Sequence, residues 1–381
     1  MMRVLQVYKT YYPDPPGGLQ EAIRQISLAT KSFNIETKIF TLSKTPNPQF
    51  IDFPEARVIR CRSVAAPASC DLGGIEAIKI YQELVNQADI IHYHFPWPFA
   101  DILHKFVKIN KPAVMTYHSD IVRQRYLGYL YQPLMRQTLR SMKRIVATSE
   151  NYAQTSAVLQ RLVQPQQLQI IPLAIKDYAN LSITEDIEYL VNLIGDINQP
   201  FILTLGVLRY YKGLHILLAA AKNISAKIVI AGSGFEAHQL KKIAQDYQLK
   251  NVIFAGQIST SQKQLLLKYC YLFVLASHLR SEAFGMVLVE AAMFGKAMIC
   301  CELGTGTSFI NLHQETGLVI EPNSPVELAK AINYLLDHDS LVEQMGKAAR
   351  ERYLQLFSAE TLGKSYNDLY QLVLDDNSYS T

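Results

Sequence analysis

Cysteine is scarce in this chain of 381 residues. Five are present, at positions 61, 70, 270, 300 and 301. The number is odd and two are adjacent, which argues against a disulfide framework and suits a reducing cytoplasm. Long apolar runs are also missing. No stretch approaches ~18 consecutive apolar residues, so no segment is expected to span a membrane. The opening residues, Met1 to Tyr8, read as a short strand without a cleavage site, so no secretory signal is expected. Strong net charge is lacking: +4 overall is too mild to imply a nucleic-acid partner. There is no short repeat, low-complexity tract or coiled coil.

What is present is core-forming sequence. Hydrophobic residues make up 49% of the chain, enough for a sizeable core in each of two domains at roughly 100–200 residues per domain. Strand-like runs at 3–7, 35–42, 57–62, 90–93, 113–117, 145–148 and 168–171 alternate with helical periodicity at 20–31, 75–87, 99–107, 130–142 and 152–162. The polar, acidic stretch 176–199 breaks the rhythm and ends at Pro200. Strands at 201–205, 227–231, 252–254, 271–275, 297–300 and 318–320 then restart it, with helices between and after them. This predicts an α/β chain of two doubly wound, Rossmann-like domains, 1–175 and 200–356. A linker region at 176–199 joins them, and a helical tail at 357–381 follows.

Ligands of open α/β sheets bind beyond the carboxyl ends of the strands, and the candidate residues fall there. After the strand at 271–275 comes a polar loop with Glu282, then an apolar helix from Val287 to Phe294 with Glu290 inside it. A helix start offers backbone N–H groups and a favourable dipole to an anion, which gives a phosphate seat near Phe284, Gly285, Met286 and Val287. Carboxylates accept hydrogen bonds from sugar hydroxyls. Phosphate seat and carboxylates together suit a nucleotide sugar, although Glu282 alone would equally pass for a solvated loop residue.

Other places carry chemistry too. Arg209 and Lys212 lie in the loop between the first strand and first helix of the second domain, and suit a pyrophosphate or are plain surface cations. Gly232, after the next strand, permits close backbone approach without completing a dinucleotide fingerprint. Gly304 and Thr305 follow the strand at 297–300. In the first domain, Gly17 and Gly18 open a helix after the first strand, and His118 follows the strand at 113–117, able to donate a hydrogen bond to a sugar hydroxyl. His92 and His94 share one strand face; a metal pair is conceivable there, but no third ligand is evident. His94 and Trp97 are expected instead in an acceptor wall.

These residues resemble a known family. Glu282 and Glu290 match the Glu-x7-Glu motif of retaining GT-B glycosyltransferases, and the surrounding Ser281, Glu282, Ala283, Phe284, Gly285 and Glu290, Ala291 look like family 4. The resemblance covers nearly the whole chain and is most specific over 200–320. It implies the GT-B fold, with the acceptor mainly on the first domain, the donor mainly on the second, and a last helix that returns to the first. It implies that His118 orients the donor sugar, that Glu282 holds its hydroxyls and Glu290 those of the ribose. Arg209 and Lys212 would neutralise the leaving diphosphate, and Gly17 and Gly18 would approach the donor phosphate and the acceptor. Segments 206–213, 277–285 and 301–311 look like the bacterial mannosyl/rhamnosyltransferase branch of surface-polysaccharide synthesis, which implies GDP-mannose, or GDP-rhamnose second, as donor and a glycan or lipid-linked acceptor. No cofactor is expected. The one Asp-x-Asp, Asp337 to Asp339, reads as surface at a late helix end, so no metal is expected either. A non-catalytic nucleotide-binding regulator and a GT-B sugar-nucleotide epimerase remain open on the sequence.

Charge is uneven along the chain. Residues 101–150 hold nine Lys or Arg against three acids. Arg123, Arg125, Arg136, Arg140, Lys143 and Arg144 are interleaved with Tyr126, Tyr129 and Tyr131. Such a segment, over 105–144, suits peripheral contact with an anionic membrane at its cytoplasmic face, or is simply a solvated basic face.

Overall fold

Strands covered on both faces by helices read as continuous apolar runs, and the computed structural model has two parallel sheets built from such runs. It describes residues 1–14, 17–67, 70–121, 125–179 and 187–378, with the backbone alone for 125–130, 377 and 378. In chain order the strands are β1 (Met2–Val7), β2 (Ile35–Ser43), β3 (Phe50–Asp52), β4 (Arg57–Ala65), β5 (Leu72–Gly73), β6 (Ile90–Phe95), β7 (Ala113–Tyr117), β8 (Arg144–Ala147) and β9 (Leu168–Ile170). A second series follows: β10 (Phe201–Leu205), β11 (Lys227–Ala231), β12 (Val252–Gly256), β13 (Leu272–Leu275), β14 (Ala297–Cys301) and β15 (Gly317–Ile320).

The chain divides into two units. One is Met1–Lys176 with Ala359–Thr381; the other is Asp177–Ser358. The first sheet runs β3-β4-β2-β1-β6-β7-β8-β9, with β5 also on β4. It is parallel except where β3 and β5 pair with β4. The second sheet runs β12-β11-β10-β13-β14-β15 and is parallel throughout. In each, the direction of winding reverses once: beside β1 in the first sheet, between β10 and β13 in the second. Loops leaving the carboxyl ends of the strands on either side of such a reversal diverge and open a crevice.

The last helix, Ala359–Ser378, packs on Gly18–Thr30 of the first unit. Its Tyr366, Leu369, Tyr370 and Val373 are fully buried. Burying Leu369 and Val373 contributes roughly 1.5–3 kcal/mol each. Close approach is possible because residue 363 is glycine. A Cβ there would stand 2.4 Å from the Ala29 carbonyl oxygen.

Several elements escape the sequence pattern. Helix Ile187–Ile194 occupies the stretch read as linker, and its Leu190 and Ile194 are buried in spite of the surrounding acids. Helix Thr260–Tyr269 starts at a capping box formed by Ser259 and Gln262. The helix expected over 152–162 is two helices, Glu150–Thr155 and Ala157–Leu162, broken at Ser156, whose hydroxyl caps the second. Such caps contribute about 1 kcal/mol each.

In the basic segment, Lys105, Lys108, Arg136 and Arg140 are exposed. Arg144 is tied to Asp376 at 2.8 Å, and the Tyr131 hydroxyl donates to the buried Asp101. Arg123 lies outside the described residues, as do the side chains of Arg125, Tyr126 and Tyr129. Among the described residues, no helix is long and apolar enough to cross a membrane.

Candidate active site

The second sheet brings two distant loops together at its reversal point. β10 leads through residues 206–209 into a short helical turn, Tyr210–Lys212. β13 leads through 276–285 into helix Met286–Met293. Because β10 and β13 are neighbours, the loops touch: the His278 N–H donates to the Tyr211 carbonyl at 3.0 Å. The Lys212 ammonium donates to Glu282 Oε2 at 2.5 Å, and the Ser277 hydroxyl donates to the same oxygen at 2.8 Å. Both members of the ion pair are mostly buried, with side-chain exposures of 13% and 10%. Burial alone would lower the Lys212 pKa, but the Glu282 carboxylate and Tyr211 outweigh it, and the net shift is upward. The ammonium is therefore firmly charged. Glu282 Oε1 makes no hydrogen bond among the described residues. Arg209 stands exposed at the start of the turn, close enough for its charge to oppose that of Lys212. A small depression here is lined by Gly206, Leu208, Lys212, Ala231 and Leu275.

The segment expected to seat a phosphate is assembled from backbone. Gly285, at φ +96°, lies in the left-handed region and sets the first turn of helix Met286–Met293. Gly306 N–H donates to the Ala283 carbonyl at 3.0 Å, and Arg280 Nη1 donates to the carbonyls of Leu303 and Gly304, each at 3.1 Å. Thus Glu282, Gly285, Met286 and Val287 share one assembly with Gly304 and Thr305. Phe284 enters it through its backbone; its ring is buried edge-to-face on Phe357. Gly232 follows β11 on the other side of β10, and its N–H donates to the Gly256 carbonyl at 2.7 Å. Glu290 lies inside the helix, where Tyr178 donates to Oε1 at 3.0 Å and Lys263 pairs with the same oxygen.

Ser277, Lys263, Tyr178 and Arg280 are not among the site residues expected from the sequence. The spacing of Ser277 from Glu282 was a usable signal, since both fall in one strand-to-helix loop. No local pattern joins Tyr178 or Lys263 to Glu290.

In the first unit, Gly17 and Gly18 are exposed at the start of helix Gly18–Thr30. His118 follows the carboxyl end of β7. His94 and Trp97 correct the acceptor-wall expectation, because each is only 1% exposed. Trp97 donates its indole N–H to the Asp71 carbonyl at 2.8 Å and packs on Phe40 and Phe99. His94 lies between His92 and His118 in a stack of three rings. The stack does not gather ligands as a metal would require: five of its six ring nitrogens bond to one another or to Gln6, Thr116 and Tyr370. No group of three or more His, Cys, Asp or Glu is placed to hold a metal among the described residues.

Burial pushes these histidines down. His92 and His118 fall to about 3, His94 goes well below its ordinary range, and nearby His104 falls to about 4. Burial pushes Asp101 up to about 7. The linkage follows in sign. Between pH 6.5 and 4 the unfolded chain takes up protons that the four folded histidines refuse, so stability falls as pH falls. Asp101 opposes this by one proton, since its folded form holds a proton that the unfolded form releases. A net of about three protons corresponds to roughly 4 kcal/mol per pH unit at the steepest point. Denaturant midpoints measured from pH 6.5 to 4.5 should drop accordingly. A flat profile would mean the histidines are charged in the folded state.

Comparison with known proteins identifies the family. Residues 194–352 match the family described as glycosyl transferases group 1, and residues 16–177 match glycosyltransferase family 4. The chain is 43% identical over 358 residues to D-rhamnosyltransferase WbpZ of Pseudomonas aeruginosa, covering 94% of this chain and 93% of that protein. It is 38% identical over 377 residues to O-antigen chain mannosyltransferase C of Escherichia coli, covering 99% and 100%. Among solved structures, sucrose-phosphate synthase of Thermosynechococcus elongatus superposes with a TM-score of 0.81 at 21% identity, covering 99% of this chain and 100% of that one. HepE of Anabaena, solved with UDP, superposes at 0.76 with 18% identity, covering 97% and 100%. The fold is GT-B, and the chain belongs to the family 4 glycosyltransferases.

Proposed function

We propose that the chain is a retaining, metal-independent glycosyltransferase that moves mannose or rhamnose from a GDP-linked donor to a glycan or lipid-linked acceptor of a surface polysaccharide. The observation that carries this reading is the Lys212–Glu282–Ser277 cluster beside the start of helix Met286–Met293. A permanent cation and helix-start N–H groups suit a diphosphate. Glu282 Oε1 suits a sugar hydroxyl. The two full-length relatives are named for D-rhamnose and mannose transfer. D-Rhamnose is mannose without the 6-hydroxyl, so one pocket that reads the hydroxyls at C2, C3 and C4 serves both.

In this mechanism the bond from sugar C1 to the diphosphate oxygen breaks as the acceptor oxygen bonds C1 from the same face. The acceptor proton passes to the departing phosphate oxygen. Lys212, with Arg209, stabilises the negative charge that develops there. Glu282 orients the sugar, Glu290 the ribose, and His118 contacts the sugar from the first domain. The backbones at Gly17, Gly18, Gly232, Gly304 and Thr305 approach the nucleotide sugar. Glu282 is engaged by Lys212 and Ser277, which suits an orienting role better than that of a covalent nucleophile. The test is transfer from GDP-mannose and GDP-rhamnose to a lipid-linked glycan in EDTA, with the product anomer read by NMR. Activity with retained configuration is expected. Inversion, or activity that returns only on adding Mg²⁺ or Mn²⁺, would refute the mechanism.

The acceptor class suggests where the chain works. Lys105, Lys108, Arg136 and Arg140 are exposed, and Phe106 is 74% exposed among them. We take this face to rest on anionic headgroups at the cytoplasmic side of a membrane. The protein should sediment with phosphatidylglycerol vesicles at low salt and release at high salt. Equal binding to neutral and anionic vesicles would mean a merely solvated basic face.

A further inference from the structure

A single tyrosine lies along one face of helix Met286–Met293. Glu290, Met293 and Phe294 stand at i, i+3 and i+4, which places them side by side on a helix surface. Tyr178 touches all three. Its N–H donates to Met293 Sδ at 3.5 Å, its ring meets that of Phe294 edge to face at 5.8 Å, and its hydroxyl donates to Glu290 Oε1 at 3.0 Å. The residue before it anchors this contact. Asp177 pairs with Arg350, whose Nη1 also donates to the Met293 carbonyl at 2.7 Å. Asp177 and Tyr178 are the first residues of the second unit. The chain entering that unit is therefore laid along the helix as far as Glu290.

Lys263 reaches the same carboxylate oxygen from helix Thr260–Tyr269. It lies in the first turn of that helix, the end whose dipole disfavours a cation. Its ammonium also stands 5.8 Å from the centre of the Tyr178 ring. Side-chain exposures of 30% for Lys263 and 13% for Glu290 leave the pair only partly open to water.

Valence then divides the carboxylate. Each of its oxygens has two lone pairs to offer. The phenol and the ammonium fill both on Oε1, and Oε2 makes no hydrogen bond among the described residues. The two lone pairs of Oε2 match the two adjacent hydroxyls of a ribose, each of which donates one proton. Left unheld, the side chain would lose rotamer freedom on binding, an entropic cost that the two donors remove beforehand.

We propose that Tyr178 and Lys263 are positioning residues that hold Glu290 by Oε1 and so present Oε2 to the 2′- and 3′-hydroxyls of the donor nucleotide. The role depends on Glu290 being the ribose contact. It makes that contact a property of three segments far apart in sequence, not of the helix alone.

The affinity ratio of GDP to 2′,3′-dideoxy-GDP, measured by calorimetry on the full chain, tests this. UDP and its dideoxy form are run in parallel, so that a wrong base does not remove the test. The wild type should favour the ribose form by at least ~10-fold, the scale of hydrogen bonds to a charged group. Tyr178→Phe keeps the ring and removes the hydroxyl; Lys263→Met keeps the stem and removes the cation. Each should lower the ratio by weakening the ribose form alone, and the double variant should lose it. A purely structural role would shift both nucleotides together, or the melt, and leave the ratio in place. A wild-type ratio carried unchanged into either folded variant overturns the proposal while Glu290 stays the ribose contact. A wild type that binds both forms alike, or neither, overturns that contact and the positioning with it. Tyr178→Phe removes one oxygen from a packed ring, so the test stands even if Lys263→Met does not fold.

Discussion

Glu282→Gln is expected to lower turnover by at least ~100-fold while the chain stays folded. The estimate is the usual effect of removing one group that stabilises charge or orientation at a reacting centre. Glutamine keeps the volume and one acceptor oxygen for Ser277 and Lys212, but it loses the charge that draws sugar hydroxyls. The alanine variant is a poorer test. It would leave the Lys212 ammonium buried without its partner, which costs about 3–5 kcal/mol, and lost fold would pass for lost chemistry. Steady-state rates with the donor varied, beside a thermal melt, separate the two. Wild-type turnover in folded Glu282→Gln would reduce the carboxylate to a counterion.

Lys212→Met should cost ~100–1,000-fold in turnover. Methionine matches the length of the stem and removes the cation proposed to face the departing diphosphate. The single variant also strands Glu282, so it should melt early. The double variant Lys212→Met/Glu282→Gln carries neither charge and should recover much of the stability, since the coupling of a close pair vanishes when both members go. It should not recover activity. Turnover restored together with stability would assign both residues to the scaffold alone.

The cores of both units were legible because buried parallel strands leave unbroken apolar runs, as in Phe201–Leu205 and Leu272–Leu275. The candidate residues Lys212 and Glu282 were legible singly, from loops that follow strands and from family resemblance. Their contact was not, because it spans 70 positions and exists only through the pairing of β10 with β13. Lys263 and Tyr178 could not be read at all: a lysine on a polar helix and a tyrosine in a connecting stretch leave no periodic trace. His94 and Trp97 misled for the opposite reason. Rings at a strand end suit a sugar platform and a packed core equally, and only three-dimensional burial separates the two. The hydrogen-bonded line from His94 through Gln6 to Tyr370 depends on contacts 88 and 364 positions apart. No local reading reaches them.

Competitive titration of the wild-type chain with GDP, UDP and ADP decides which nucleoside diphosphate the chain takes. Guanine differs from uracil in size and in its exocyclic amine, and a site that hydrogen-bonds that amine discriminates well. GDP should bind at least ~10-fold more tightly than either competitor, a difference of about 1.4 kcal/mol. Tighter binding of UDP would contradict the GDP-linked donor, and no binding of any nucleoside diphosphate to the folded chain would contradict the nucleotide-sugar site itself.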